Sequence, residues 1–195
     1  RPKNSRDGFE EGATELMDIQ PDRKTLYIEG GKPYEFDYCW EGPNVEQEDV
    51  FNRVAIPVVN NVFKGFWGTM MVYGQTGTGK SFTMCNFDPK AEGIIPRTMR
   101  YIFETVDAQP DRKYTICFSF IQIYLDKLQD LFSPEAPELK ITRDKDGVAF
   151  PGIIGHEIND AAHFREKYED GNQYRVITAT KMNPESSRGH AARRI

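Results

Sequence analysis

Thr69-Met70-Met71-Val72-Tyr73-Gly74-Gln75-Thr76-Gly77-Thr78-Gly79-Lys80-Ser81 is the stretch that decides the fold. Its first five residues form a short apolar run that predicts a buried strand, and a helix is predicted after Ser81. Between the two, residues 74–81 match G-x-x-x-x-G-K-[ST] in the strand-to-helix context the pattern needs. Gly77 and Gly79 let backbone N–H groups curl around a phosphate without Cβ clashes. The following helix adds the positive end of its dipole. Lys80 can reach the β- and γ-phosphates as a point charge, and the Ser81 hydroxyl can ligate Mg²⁺. A plain glycine-rich turn is the bland alternative; motif and context together outweigh it, so the stretch implies a nucleoside-triphosphate site.

Outward from this site, helical and extended patterns alternate, which points to an α/β layered domain. On the N-terminal side, Leu26 and Ile28 lie between turn signals at Gln20-Pro21-Asp22 and Gly30-Gly31, which predicts short antiparallel edge strands. Tyr34 to Tyr38 is another short alternating strand. Val50, Phe51, Val54, Ala55, Val58 and Val62 mark one face of a helix. Asn44 with Gln47 is its expected capping box, and Pro57 its expected kink.

On the C-terminal side, Met99, Ile102, Phe103 and Val106 define the apolar side of a helix opening at Ile95-Pro96-Arg97. Residues 114–124 predict a long strand, followed by a short helix ending near Phe132. Asp144-Lys145-Asp146-Gly147 predicts a hairpin turn, because Asp-Gly supplies positive φ angles. A charged helix from Ala161 to Gln173 is expected to end near Gly171.

Composition narrows the function classes. The chain has 195 residues, 38% apolar and 12% aromatic, which is enough to build a core and excludes wholesale disorder. A formal charge of −5 argues against a duplex-coating nucleic-acid binder. Three dispersed cysteines without a CxxC pair argue against a disulfide scaffold or structural zinc. The apolar runs are too short to span a bilayer, and no signal peptide is visible, so the expected setting is intracellular. Both ends read as cut, since Arg1-Pro2 opens without an initiator Met.

Among triphosphate-site proteins, a GTPase needs a guanine-reading Asn-Lys-x-Asp, which the sequence lacks. Asp144-x-x-Gly147 imitates a switch motif but sits on the polar hairpin turn. Asp126 follows an apolar run where a metal-holding acid could lie; a surface Asp in a helix first turn is the alternative. His156 and His163 have no metal spacing.

The string from Tyr73 to Met84 goes beyond a generic phosphate loop. It resembles the Y-G-Q-T-G-T-G-K-T-x-T-M of kinesin motor domains, and other segments follow in that family's order. Arg1-Pro2 resembles the end of its first strand, and Phe36-Asp37 with Gln47-x-x-Val50-Phe51 its F-D and Q-x-x-V-F. Gly68-Thr69 resembles its G-T, and Gly93-Ile94-Ile95-Pro96-Arg97 its G-I-I-P-R. Ile123-Tyr124 with Asp130-Leu131 resembles its E-I-Y…D-L-L, and Asn183-x-x-Ser186-Ser187-Arg188-x-His190 its switch I.

The resemblance spans essentially all 195 residues and implies one kinesin-like motor domain over 1–195, incomplete at its C-terminus. The implied fold is an α/β P-loop NTPase, with a mostly parallel central sheet and helices on both faces. It implies that Gln75, Thr76, Gly77, Thr78, Gly79, Lys80 and Ser81 hold the phosphates of ATP, and that Arg1, Pro2 and Phe82 flank the adenine. Ser186 and Ser187 would face the γ-phosphate and the Mg²⁺ shell, with Ser81 as the other metal-binding hydroxyl. Asn183 would help close switch I, Arg188 would pair with a switch II glutamate, and His190 would make a structural hydrogen bond.

The implied activity is a Mg-dependent ATPase coupled to microtubule (tubulin) binding, in the cytoplasm on the cytoskeleton, with no nucleic-acid or membrane partner. Gly189 stands where the family has Ser, which frees the switch I backbone. Trp67 stands where Asn is common. No D-x-x-G-S-E switch II occurs in the sequence. The rival expectation is a non-motor scaffold or adaptor that keeps nucleotide without productive hydrolysis.

Overall fold

The computed structural model describes residues 17–28, 31–40, 45–135, 138–145, 147–175 and 190–195. At the N-terminal side, β1 (Met17–Ile19), β2 (Thr25–Ile28) and β3 (Tyr34–Glu35) form the expected antiparallel edge sheet. The turn between β1 and β2 is organised by Asp22, whose carboxylate accepts from Lys24 N–H at 2.8 Å and Thr25 N–H at 2.9 Å. Those two bonds hold the Asp22 carboxyl below its usual range.

The next helical stretch runs as α1 (Gln47–Val50), a π turn at Phe51–Ala55, and α2 (Ile56–Phe63). Its first turn differs from the expected Asn44/Gln47 box. Glu46 is the cap, and Asp49 accepts from the Glu46 N–H at 2.8 Å. Gln47 is thereby free to reach elsewhere. Pro57 lacks the N–H that would bond back to Arg53 and its ring crowds that carbonyl, so the distortion falls one turn earlier as a wide π turn.

After α2, residues 69–73 form no helix and join no ladder among the described residues. Met71 is 84% and Tyr73 96% exposed, which corrects the expectation of a buried strand. Hydrophobicity predicted burial, but burial of a strand needs a neighbouring strand to complete it.

Then come α3 (Lys80–Cys85) and α4 (Ile94–Asp107). The central strand β4 (Cys117–Tyr124) pairs with β5 (Lys127–Asp130), β8 (His156–Glu157) and β9 (His190–Arg194). Residues Ile121, Gln122 and Ile123 pair with both β5 and β9, so those two strands flank β4. A separate hairpin, β6 (Thr142–Asp144) with β7 (Gly147–Ala149), matches the Asp-Gly prediction. All ladders among the described residues are antiparallel; the parallel pairing expected of the central sheet is not seen there.

β5 replaces the helix expected before Phe132. Leu125 and Asp126 adopt φ of 50° and 61°, a tight left-handed turn that folds the chain back onto β4. Asp126 is therefore a hairpin-turn residue rather than the start of a helix.

The alternation of β4 sends Phe118 and Phe120 to one face, where both are fully buried. Ile95 and Met99 of α4, Leu131, Ile158, and Phe164 and Tyr168 of α5 (Ala161–Gln173) close over them. Burying each such ring contributes about 1.5–3 kcal/mol. Asp160 caps α5 by accepting from His163 N–H at 2.7 Å. α5 has the expected bounds, with Gly171 inside its last turn. A Cβ at Gly171 would lie 2.6 Å from Phe120 Cδ1, so glycine there lets α5 approach β4. A second cluster, Phe51, Ala55 and Ile94, packs the π turn onto α4 with Met70 and Met84 against it. No helix among the described residues is long and apolar enough to cross a membrane.

Candidate functional site

Residues 74–79 form the turn between residues 69–73 and α3. Gly77 and Gly79 take φ of 87° and 88°, left-handed values that a side chain would strain. Gly79 is the residue immediately before α3, and this conformation swings Lys80 into the helix. Thr78 Oγ1 donates to Gln75 O at 2.9 Å and braces the loop from within.

Lys80 is half-buried, and its Nζ donates to Gly74 O at 2.7 Å and Gln75 O at 2.8 Å. The ammonium is thus folded over the mouth of the loop. A phosphate bound there has to replace two carbonyl partners with its own oxygens. The first helical bond back to the loop is Thr83 N–H to Gly79 O at 2.9 Å, so the N–H groups of Lys80, Ser81 and Phe82 have no carbonyl partner within α3. Orphan N–H groups, an adjacent ammonium and the exposed Ser81 hydroxyl are a donor set that fits phosphate oxygens and one hard cation.

Ser81 also lines a 640 Å³ cleft between α3 and α5, with Cys85, Asn86, Arg165, Tyr168 and Arg175 among its walls. Burial holds the Arg175 guanidinium below its usual range, and Arg193 adds to that effect. Burial likewise pushes the Tyr168 hydroxyl up to about 12; the Cys85 thiol adds to the rise and Arg193 opposes it. The three cysteines are free thiols, with Cys39 buried and Cys117 exposed.

The structure brings Gln75, Thr76, Gly77, Thr78, Gly79, Lys80, Ser81 and Phe82 together at one loop and helix start. Phe82 is 45% exposed and presents a ring to solvent. Arg1, Pro2, Asn183, Ser186, Ser187 and Arg188 lie outside the described residues. His190 opens β9 opposite Ile123. Trp67, whose role the sequence left open, has a partner: the Arg194 guanidinium sits 5.7 Å from its ring centroid.

The contacts of two supporting residues escaped the sequence reading. Gln47 Nε2 donates to Phe82 O and, at 3.3 Å, to Ala91 O, tying α1 to the far side of the phosphate-loop helix. Buried Asp130 accepts from Phe132 N–H at 2.9 Å and Ile154 N–H at 2.7 Å, pinning two loops at the end of β5. Gln47 and Asp130 were visible as family-pattern letters, but their partners are distant in sequence.

A glycine loop that delivers a lysine and a hydroxyl into a helix start, within a layered α/β domain, defines an α/β P-loop NTPase fold. Comparison with known proteins narrows the class. The kinesin motor domain family matches residues 5–195. A kinesin heavy chain from Syncephalastrum racemosum is 37% identical over 199 residues, covering 98% of this chain and 21% of that protein. The kinesin-like protein KIN-UA from Oryza sativa subsp. japonica is 39% identical over 202 residues, with 98% and 21% covered. A solved fast kinesin, described for its ATPase mechanism and interactions with microtubules, superposes with a TM-score of 0.85 at 30% identity, covering 99% of this chain and 56% of that one. The chain belongs to the kinesin motor domain family. It spans about a fifth of the length of these curated relatives.

Proposed function

We propose that residues 1–195 are part of a kinesin motor domain that binds Mg-ATP and couples its hydrolysis to microtubule binding and movement. The observation that carries this reading is the Lys80 ammonium folded over a loop whose Gly77 and Gly79 are already left-handed. In this reading the N–H groups of the loop and α3 hold the phosphates, and Lys80 exchanges its two carbonyl bonds for β- and γ-phosphate oxygens. Ser81 and Ser187 supply hydroxyls to the Mg²⁺, which neutralises the triphosphate when bound. Arg1, Pro2 and Phe82 enclose the adenine. Asn183, Ser186 and Arg188 close on the γ-phosphate, and catalysis rests on positioning and charge rather than a covalent intermediate.

The partner is the microtubule rather than nucleic acid or membrane, and the site of action is the cytoplasmic cytoskeleton. The relatives reported above, all named kinesins, support this over a scaffold that keeps nucleotide without turnover. The 195 residues alone should turn ATP over poorly, because the sequence contains no switch II acid to meet Arg188. The test is steady-state hydrolysis of Mg-ATP by the full-length chain with and without microtubules. Turnover stimulated about ten-fold or more, a barrier difference of about 1.4 kcal/mol, is expected. Nucleotide binding with turnover indifferent to microtubules would favour the scaffold.

A further inference from the structure

α3 is six residues long, too short to hold its own place, so its position is set from outside. On its inner side Met84 and Cys85 pack against the aromatic core. Phe82 lies on the other side with its ring 45% exposed, and there the tie is polar. Half-buried Gln47 of α1 donates from Nε2 to Phe82 O, 35 positions away in sequence, and to Ala91 O at 3.3 Å. The Asp49 carboxylate already serves the Glu46 N–H in the first turn of α1, which leaves the Gln47 amide for this bridge.

Ala91 is a firm anchor for the bridge. Its carbonyl also accepts from Asn86 Nδ2 at 2.7 Å, and its N–H donates to Asp88 O at 2.9 Å. Gly93 N–H donates to Asn86 O at 2.7 Å, and a Cβ on Gly93 would lie 2.9 Å from the Met84 carbonyl. Arg97 Nε donates to Glu92 O at 3.0 Å and joins the same loop to α4. Residues 86–93 are thus knitted to themselves, to the end of α3 and to α4. Gln47 carries that rigidity to the backbone of Phe82.

We propose that Gln47 is a positioning residue for the nucleotide base: it fixes the Phe82 backbone and with it the direction of the ring beside the base. The proposal deepens the nucleotide reading above and rests on it, through Phe82 as a ring that flanks the adenine. Stacking needs the ring held against the base, and a ring on an unbraced helix end loses that freedom only at a cost in affinity. The phosphates are served by another part of the segment. Their donors are Lys80 and the N–H groups at the start of α3, shaped by Gly77, Gly79 and the Thr78 bond to Gln75 O. Loss of the Gln47 bridge is therefore felt in the share of affinity that comes from the base, not in the share from the phosphates.

The test compares Gln47→Met, Gln47→Lys and Phe82→Ala in the full-length chain. Affinities are measured for a non-hydrolysable ATP analogue and for tripolyphosphate, which has the phosphates without the base, both with Mg²⁺. Gln47→Met keeps the length of the side chain without its donor. Its affinity for the ATP analogue should fall about five-fold, as for one hydrogen bond, while tripolyphosphate stays within about two-fold. Gln47→Lys again offers N–H to the carbonyls and should recover most of that ratio. Phe82→Ala should lose about ten-fold for the ATP analogue alone, as for one base–ring stack. Gln47→Met should add nothing further in the Phe82→Ala background. An equal loss for both ligands in Gln47→Met, or a full additional loss on top of Phe82→Ala, overturns the proposal, because Gln47 then braces α3 as a whole. Parent-like affinity for the ATP analogue in Gln47→Met overturns it too. Parent-like affinity in Phe82→Ala instead overturns the placing of Phe82 at the adenine, and the proposal falls with it.

Discussion

Asp130→Ala should destabilise the chain more than any exposed carboxylate substitution. Asp130 is 3% exposed and accepts two backbone N–H groups, from Phe132 at 2.9 Å and from Ile154 at 2.7 Å. A hydrogen bond to a charged acceptor contributes about 1.5–3 kcal/mol, so losing both costs roughly 3–6 kcal/mol before relaxation. Water reaching the freed N–H groups and relief of the buried carboxylate both reduce that, leaving about 2–4 kcal/mol. Asp130→Asn keeps one acceptor but turns an NH₂ toward the other N–H, so its cost should be about half. Urea unfolding reads this as a lowered midpoint, by about 1–2 M for Asp130→Ala at a slope near 2 kcal/mol/M. Exposed Asp111→Ala provides the control. Amide exchange at Ile154 should accelerate in the Asp130 variants alone. A midpoint for Asp130→Ala matching that of the control would refute the idea that this carboxylate ties the end of β5 to the 150s loop.

Two further outcomes follow from the same core. Gly171→Ala places a methyl 2.6 Å from Phe120 Cδ1, whose ring is fully buried; overpacking exceeds the helix-propensity gain, for a net loss of about 1–2 kcal/mol by thermal unfolding. The Tyr168 hydroxyl rises from 10.0 to about 12 on folding, so the unfolded chain releases that proton first and stability falls as pH climbs through this window. Tyr168→Phe should flatten that fall relative to the parent in urea titrations; identical slopes would contradict the burial argument.

The sequence revealed those parts of the fold that are set by local spacing. Residues 74–81 carry their geometry in the glycines, and the α4 face at Met99, Ile102 and Phe103 repeats at helical period. Gly147 signalled the β6–β7 hairpin in the same way. The misreadings share a different cause, because each turned on a partner far along the chain. Residues 69–73 looked buried, but burial of a strand depends on neighbours that the apolar run does not specify. The end of α5 was read correctly, but the packing of Gly171 against Phe120, on another element, had no local signal. The Leu125-Asp126 turn contains no glycine, so its left-handed φ values gave no warning of a hairpin. In the candidate site, the place of Lys80 and Ser81 at the start of α3 was legible from the motif. Gln47 and Asp130 act through distant backbone, and no local pattern marks such pairs.

The central claim is that the Lys80 loop binds a nucleoside triphosphate, and a thermal-shift titration of parent and Lys80→Ala with Mg-ATP tests it most directly. Lys80 is half-buried and its two bonds go to loop carbonyls that water can also serve, so the unliganded variant should lose no more than about 1 kcal/mol. The parent should gain about 2.7 kcal/mol at a hundred-fold excess of Mg-ATP over its dissociation constant, and Lys80→Ala almost none. A folded Lys80→Ala chain stabilised by Mg-ATP as much as the parent would contradict the account.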